Sequence, residues 1–318
     1  MRFIDADAVR ALAPMAGLIA RLEAAFREEW IAPIRQVVSV PGGAGTRVFL
    51  SMPAFDPRGS GAVKLLSFFP DNPDRGLPTI QAAIVVFSAS GAPVAVLDGG
   101  AVTCLRTGAA SALASKYLSR SDSAHLLLIG TGALAPYMAL GHCAIRPIER
   151  ITVWGRRSER AESAMHAIRA LIAPTVAVAV SEHLEEAVAA ADIISCATAS
   201  SSPVLEGRWL RSGVFVDLVG SFSPTNRESD DEVVSRARIF VDTRAGAFAE
   251  AGDILDPLQR GVISKDKILG ELSDLVRGRC RGRTHPEEIT LFKSVGTAIE
   301  DLAAAQLIVG AAINEPKA

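Results

Sequence analysis

The chain has 318 residues, 49% of them apolar, and 33 Lys and Arg stand against 35 Asp and Glu for a formal net charge of −2. This is the composition of a folded globular protein of one or two domains. It excludes a disordered chain and offers no general attraction to polyanions, so no nucleic-acid partner is expected. Cys104, Cys143, Cys196 and Cys280 show no paired spacing, which argues against a disulfide framework or a zinc site, and no metal is expected. The opening "MRFIDADAV" carries Asp5 and no apolar leader. Apolar runs are interrupted well before about 18 residues, so neither a secretion signal nor a membrane span is expected, and the cytoplasm is the expected location.

In chain order, residues 7–30 have helical periodicity through Val9, Leu12, Leu18, Ile19, Leu22 and Phe26. Short β-branched and apolar runs follow: "QVVSV", "RVFLSM", "GAVKLLSF" and "TIQAAIVVF". "SASGAP" is a turn signal and "VAVLD" its hairpin partner. Residues 103–118, "TCLRTGAASALASKYL", read as a helix with Thr103 at its N-cap. From Ser123 onward strands alternate with helices. The strands are "HLLLIG", "RITVWG", "TVAVAV", "ADIISCA", "VFVDLVG" and "RIFVDT". Continuous apolar strands between helices imply a parallel sheet covered on both faces. "SVGTAIEDLAAAQLIVGAAI" is a last helix beginning near Gly296. The expected fold is α/β: an N-terminal α+β domain over 1–115, completed by a C-terminal return over 297–318, and a doubly wound Rossmann domain over 116–296.

The loop Gly130, Thr131, Gly132, Ala133, Leu134, Ala135 follows an apolar strand and opens a helix. Two glycines allow a tight turn and close approach of backbone to a pyrophosphate, and the helix N-terminus offers N–H groups to it. Ala135 is a tolerated third position, where the need is close helix–strand packing. After the second strand of the unit, an NAD site usually carries a carboxylate for the ribose hydroxyls. Here "RITVW" runs into Gly155, Arg156, Arg157 and Ser158. Two arginines and a serine suit a 2′-phosphate, so NADPH is expected over NADH. The competing explanation is a solvated helix start, although cations oppose the dipole there.

Lys64 shares a face of its strand with Ala62, Leu66 and Phe68. An ammonium on an apolar face needs an anionic partner; alternatively it guards an edge strand. Arg106 falls in the first turn of the expected 103–118 helix, where acids are preferred, which suggests an external anion. Thr107 beside it offers a hydroxyl. Arg35 is a further cation, by pattern alone a surface arginine. Together such groups could clamp a carboxylate. His125, His142, His166, His183 and His285 do not cluster and are expected to be structural or superficial.

The blocks "SMPAF", "VKLLSFFPDNPDRGLPTIQA", "GAPVAVLDGGAVTCLRTGAASALASKYL", "IGTGALAPYM", "ADIISCAT", "VGSFSPTNRESDDE", "AEAGDI" and "HPEEITLFKSVGTAIEDLAAA" resemble the ornithine cyclodeaminase/μ-crystallin family over nearly the whole chain. The resemblance implies a homodimer whose first domain carries substrate binding and dimer contacts and whose second is a Rossmann unit. It implies that Arg35, Lys64 and Arg106 hold the substrate carboxylate, with Lys64 and Arg106 as catalytic residues and Met52 beside them. It implies cofactor contacts at Thr79, Thr107, the 130–135 loop and Val295, to which Thr198 and Val219 in the quoted blocks are added. The cyclodeaminases carry an Asp in the block matching Gly220–Pro224, "GSFSP"; here Phe222 stands in that place with no adjacent carboxylate. This departure points to the branch that reduces cyclic imino acids, Δ1-pyrroline-2-carboxylate to L-proline and the six-membered homologue to L-pipecolate.

On this expectation the cations fix the carboxylate, NADPH supplies hydride to C2, Phe222 walls the ring, and Ser223 or a water serves the ring nitrogen. Three alternatives stay open: ornithine cyclodeaminase, an open-chain amino-acid dehydrogenase, and a non-catalytic NADPH-dependent small-molecule binder.

Overall fold

The computed structural model describes residues 1–41 and 47–314. Residues 42–46 and 315–318, which fall in the segments expected for the first domain, lie outside them. The chain divides into two compact units, residues 1–106 with 297–318 and residues 107–296.

The first unit opens with β1 (Arg2–Ile4), α1 (Ala6–Leu12) and α2 (Met15–Arg27). The periodic stretch expected as one helix is therefore two. Ala13 adopts φ −120° and ψ 70°, because a residue before proline is pushed out of the helical region. The Asp5 carboxylate caps α1, accepting from the Ala8 N–H at 2.9 Å. Next come β2 (Gln36–Val40), β3 (Arg47–Phe55), β4 (Gly61–Phe68), β5 (Ile80–Phe87) and β6 (Pro93–Asp98). They form a sheet in the order β1-β6-β5-β4-β3-β2. All neighbours are antiparallel except β1, which runs parallel to β6. The C-terminal helix α11 (Ala298–Asn314) packs on β3, β4 and β5 and against α2. Alternation puts Leu50, Met52 and Ala54 of β3, with Ala62, Lys64 and Leu66 of β4, on the buried side. Phe49 and Phe55 point the other way and are exposed.

Helix α3 spans Gly99–Leu118, so it starts earlier than expected. Its cap is Asp98, whose carboxylate accepts from the Ala101 N–H at 2.7 Å. Thr103 is not the N-cap; its hydroxyl donates to the Gly99 carbonyl at 2.7 Å within the helix. Gly99 and Gly100 concealed this start because glycine is a poor helix former. Here a Cβ at residue 99 would collide with Ala82 of β5, so packing decides.

The second unit carries the eight strands β7 (His125–Ile129), β8 (Arg150–Trp154), β9 (Ala177–Val180), β10 (Ile193–Cys196), β11 (Phe215–Leu218), β12 (Arg238–Val241), β13 (Ile268–Glu271) and β14 (Thr290–Lys293). Its helices after α3 are α4 (Ala135–Ile145), α5 (Ser158–Arg169), α6 (Leu184–Ala190), α7 (Asp231–Arg236), α8 (Arg244–Glu250), α9 (Gly252–Gln259) and α10 (Leu272–Val276). Every neighbouring strand pair is parallel, in the order β13-β12-β14-β11-β10-β7-β8-β9. The six expected strands are all present. β13 and β14 are additions: each is four residues long, and β14 contains a lysine. The chain runs from β7 outward through β8 and β9, then returns to β10 on the other side of β7. That reversal, at the carboxyl ends of β7 and β10, is where open parallel sheets bind ligands. Among the described residues no helix is long and apolar enough to cross a membrane.

Candidate functional site

In the first unit a buried charge cluster is built on β4, α3 and α11. Lys64 lies on the covered face of β4, in register with Met52 of β3 and Ile84 of β5. β4 is interior to the sheet, so Lys64 does not guard an edge. The side chain is 1% exposed, and Nζ lies 2.8 Å from Asp301 Oδ1. Arg106 donates from Nη1 to Glu300 Oε2 at 2.6 Å, and its Nε lies 3.2 Å from Asp301 Oδ1. Glu300 and Asp301 stand in the first turn of α11, where the helix dipole favours carboxylates. Arg35 is half-buried ahead of β2, and its charge reaches both Lys64 and Asp301.

This arrangement corrects one expectation. Arg106 is not in a first helical turn; it follows Gly99 by seven residues, roughly two turns into α3. The anions nearest it belong to the protein, Glu300 and Asp301. A lone lysine on an apolar strand face did signal a buried acid. Nothing in the local sequence said that the acid lay 237 residues further on.

Burial drives the Lys64 ammonium down to about 8, against Asp301, and Arg106 and Arg35 push the same way as burial. Burial opposes ionisation of Asp301, yet Lys64, Arg106 and Arg35 hold its carboxyl below the usual range. At neutral pH the cluster is therefore ionised, with cations concentrated on one carboxylate pair. Removing one partner from such a set leaves a buried charge exposed to its neighbours, at a cost of about 3–5 kcal/mol. Met52 is buried beside Lys64. Thr79 lies just before β5, half-buried, its carbonyl accepting from the Phe69 N–H at 2.9 Å.

In the second unit, the expected dinucleotide residues other than Thr107 stand at the carboxyl ends of β7, β8, β10, β11 and β14. Gly130 has φ +124°, and a Cβ there would lie 2.5 Å from the Ala197 carbonyl beyond β10. Its N–H donates to the Trp154 carbonyl at the end of β8, 3.0 Å away. Gly132 differs: a Cβ there meets nothing within 4 Å, and its φ is not positive. Nothing in the chain itself demands glycine at 132. Thr131, Ala133 and Leu134 complete the turn, and α4 then begins with no side-chain cap at Leu134. Its first turn is closed by backbone: the Ala135 N–H donates to the Gly132 carbonyl at 3.1 Å, Pro136 has no N–H, and the Tyr137 N–H donates to the Leu134 carbonyl at 3.0 Å. A phosphate approaching this helix would therefore meet the backbone of the preceding glycine turn first.

Arg156 and Arg157 are exposed, and Ser158 opens α5, again without a side-chain cap. Thr198 donates from N (2.7 Å) and Oγ1 (3.0 Å) to Glu228 Oε1. The Val219 N–H donates to the Cys196 carbonyl at 2.9 Å. The N–H of Val295 donates to Asp242 Oδ2 at 2.8 Å, alongside the Ser294 hydroxyl and the Gly296 N–H. Thr107 is buried in α3. Phe222 packs half-buried against the core of this unit, and the Ser223 hydroxyl lies 3.1 Å from that of Thr225. Glu228, Asp242, Asp253 and Lys293 were not singled out from sequence. Acids and lysines of this kind look superficial until a sheet buries them. Of the histidines, His142 is fully buried, 3.5 Å from Asp217, and none joins either cluster.

The sequence pattern of the ornithine cyclodeaminase/mu-crystallin family matches residues 2–315. A Delta(1)-pyrroline-2-carboxylate reductase of Colwellia psychrerythraea is 38% identical, over 97% of this chain and 98% of its own. The protein of the same name from Paracoccus denitrificans is 38% identical over 89% of this chain and 90% of its own. The structure of Thermococcus litoralis Delta(1)-pyrroline-2-carboxylate reductase in complex with NADH and L-proline superposes with a TM-score of 0.94 at 34% identity, covering 98% of each chain. An archaeal alanine dehydrogenase dimer with bound NAD superposes at 0.91 with 28% identity, covering 98% of this chain and 96% of its own. With nearly its whole length matched, the chain belongs to the ornithine cyclodeaminase/mu-crystallin family.

Proposed function

We propose that this protein reduces cyclic imino acids, Δ1-pyrroline-2-carboxylate to L-proline and Δ1-piperideine-2-carboxylate to L-pipecolate, with a nicotinamide dinucleotide. The carrying observation is the buried pair Lys64 and Arg106, held by Asp301 and Glu300, with the half-buried Arg35 close enough for its charge to act on them. A small carboxylate is the anion such a set suits, because fixed cations in a desolvated place bind it without reorganising. The reductases among the relatives support the choice of an imine. Phe222 supports it too, since an apolar ring in place of a carboxylate leaves no base there for the deamination of an amine.

The second unit fits a dinucleotide on its own geometry. Gly132 stands beside open space, the glycine turn leads into α4 with no side chain capping that helix, and the turn lies at the reversal of strand order. When bound, the reduced nicotinamide supplies the hydride. Arg156, Arg157 and Ser158 give a cationic, hydroxyl-bearing turn at the end of β8, and for this reason we assign NADPH ahead of NADH. Lys64 and Arg106 orient the substrate by its carboxylate, Met52 lines their side, and Phe222 and Ser223 are assigned to the ring and its nitrogen. Thr79, Thr107, Thr198, Val219 and Val295 are assigned to the dinucleotide. We assign the first unit to substrate and dimer contacts and the second to the cofactor.

A second copy is assigned to the outer face of the six-stranded sheet. There Val38 lies opposite Phe49 in register, at 57% and 41% exposure. A patch of this kind calls for a covering partner.

Three outcomes are expected. Below about pH 8 Lys64 carries its proton and above it does not. Imine affinity should therefore fall by roughly tenfold per unit once pH exceeds that value. Lys64→Arg, which does not titrate in this range, should abolish the fall in KM profiles; a fall that persists would trace it to the substrate and contradict the role of Lys64. Gly132→Ala should leave the thermal midpoint unchanged and weaken NADPH binding by about tenfold, through lost close approach of backbone to phosphate; unchanged affinity would place the dinucleotide elsewhere. Sedimentation should give a dimer for the native protein and a monomer for Val38→Asp, whereas a native monomer would remove the assigned interface.

A further inference from the structure

Glu228 lies in the segment before α7 and is fully buried. Four donors converge on its carboxylate. Oε1 accepts from Thr198 N at 2.7 Å and Thr198 Oγ1 at 3.0 Å, and Oε2 accepts from Gly220 N at 2.8 Å and Ser221 N at 3.2 Å. Thr198 belongs to the turn after β10, and Gly220 and Ser221 to the turn after β11. One side chain thus ties two neighbouring strand ends together at the ligand-binding edge of the sheet. The two turns touch: a Cβ at residue 220 would collide with the backbone of Thr198.

The residue is itself held in place, by its backbone and by a neighbouring ammonium. The Glu228 N–H donates to Asp253 Oδ1 at 2.8 Å, and its carbonyl accepts from Val204 N and Leu205 N at 2.9 Å each. Lys293, buried in β14, places Nζ 3.7 Å from Glu228 Oε2 and 3.1 Å from Asp253 Oδ2. This is an expensive group to bury: burial, with Asp253 beside it, pushes its carboxyl up to about 7, against the pull of Lys293 and the Thr198 and Gly220 N–H groups. Only an acceptor-only carboxylate serves both turns. A glutamine would offer one acceptor oxygen and turn an NH2 towards N–H donors.

We propose that Glu228 is a positioning residue for the dinucleotide, holding the turn after β10 against the turn after β11 so that Thr198 and Val219 stand where the cofactor meets them. This rests on the assignment of those two residues to the dinucleotide. Glu228 does not touch the reacting atoms. It acts through the two backbone turns, and Lys293 and Asp253 act through it.

Two variants test the clamp. Glu228→Gln keeps the shape and removes half the acceptors, and Glu228→Asp keeps the charge beside Lys293 but shortens the reach by a methylene. Each is assayed for NADPH affinity by fluorescence titration without imine, for steady-state kinetics with both substrates, and for thermal midpoint. The NADPH Kd and KM should rise about tenfold, as expected for loss of one or two charge-assisted hydrogen bonds. The kcat at saturating NADPH should return to within about threefold of native, which a merely structural lesion would not give. A folded variant with unchanged NADPH affinity overturns the proposal. Failure of both variants to fold does so too, by showing Glu228 to be a stability determinant of this unit. Failure of the native protein to reduce any imine would count against the proposed reaction and leave the NADPH titration to decide the clamp.

Discussion

Lys64 and Arg106 share a buried carboxylate, Asp301, and the first unit is organised around that fact. Two cations on β4 and α3 and two acids at the start of α11 join segments far apart in sequence into one desolvated group. None of the four has water to fall back on, so each depends on the others' geometry. The consequence for chemistry is preorganisation. In the proposed reaction a substrate carboxylate would meet cations already in position, at a place where electrostatic attraction is little screened by solvent. Burial first, and then Arg106 and Arg35, lowers the ionisation point of Lys64, which is the origin of the pH dependence expected of the proposed binding.

The second unit solves a different problem with the same economy. A parallel sheet leaves its strand ends as loops, and a ligand site there needs those loops fixed. Buried acids do this: Glu228 gathers the turns after β10 and β11, and Asp242 gathers Ser294, Val295 and Gly296 after β14. The ends of β7 and β8 are fixed by backbone, through the Gly130 N–H on the Trp154 carbonyl.

Much of the fold was legible because periodicity is a local property. Six apolar strands from Ser123 onward stand where alternation put them, and Lys64 lies on the face that period two assigned to it. Apart from the break at Pro14, the differences arise where a distant contact overrides a local rule. Pro14 splits the first helix, a local signal that the apolar periodicity masked. Gly99 and Gly100 begin a helix that their propensities oppose, because β5 leaves no room for a side chain at 99. That shift of the helix start moved Arg106 out of its supposed first turn and gave it internal acids as partners. β14 escaped notice because Lys293 interrupts an apolar run, and only the folded sheet supplies the acids that neutralise it. The cations of the candidate site were therefore readable, and their anionic partners were not: a basic residue out of place on an apolar face announces itself, while an acid in a helical first turn looks ordinary.

The most direct measurement is turnover by the purified native protein with Δ1-pyrroline-2-carboxylate and NADPH, following both dinucleotide oxidation and amino-acid product. One L-proline formed per NADPH oxidised, with slower reduction by NADH, is the expected result. Absence of imine-dependent oxidation with either dinucleotide, or release of ammonia from L-ornithine in its place, would contradict it.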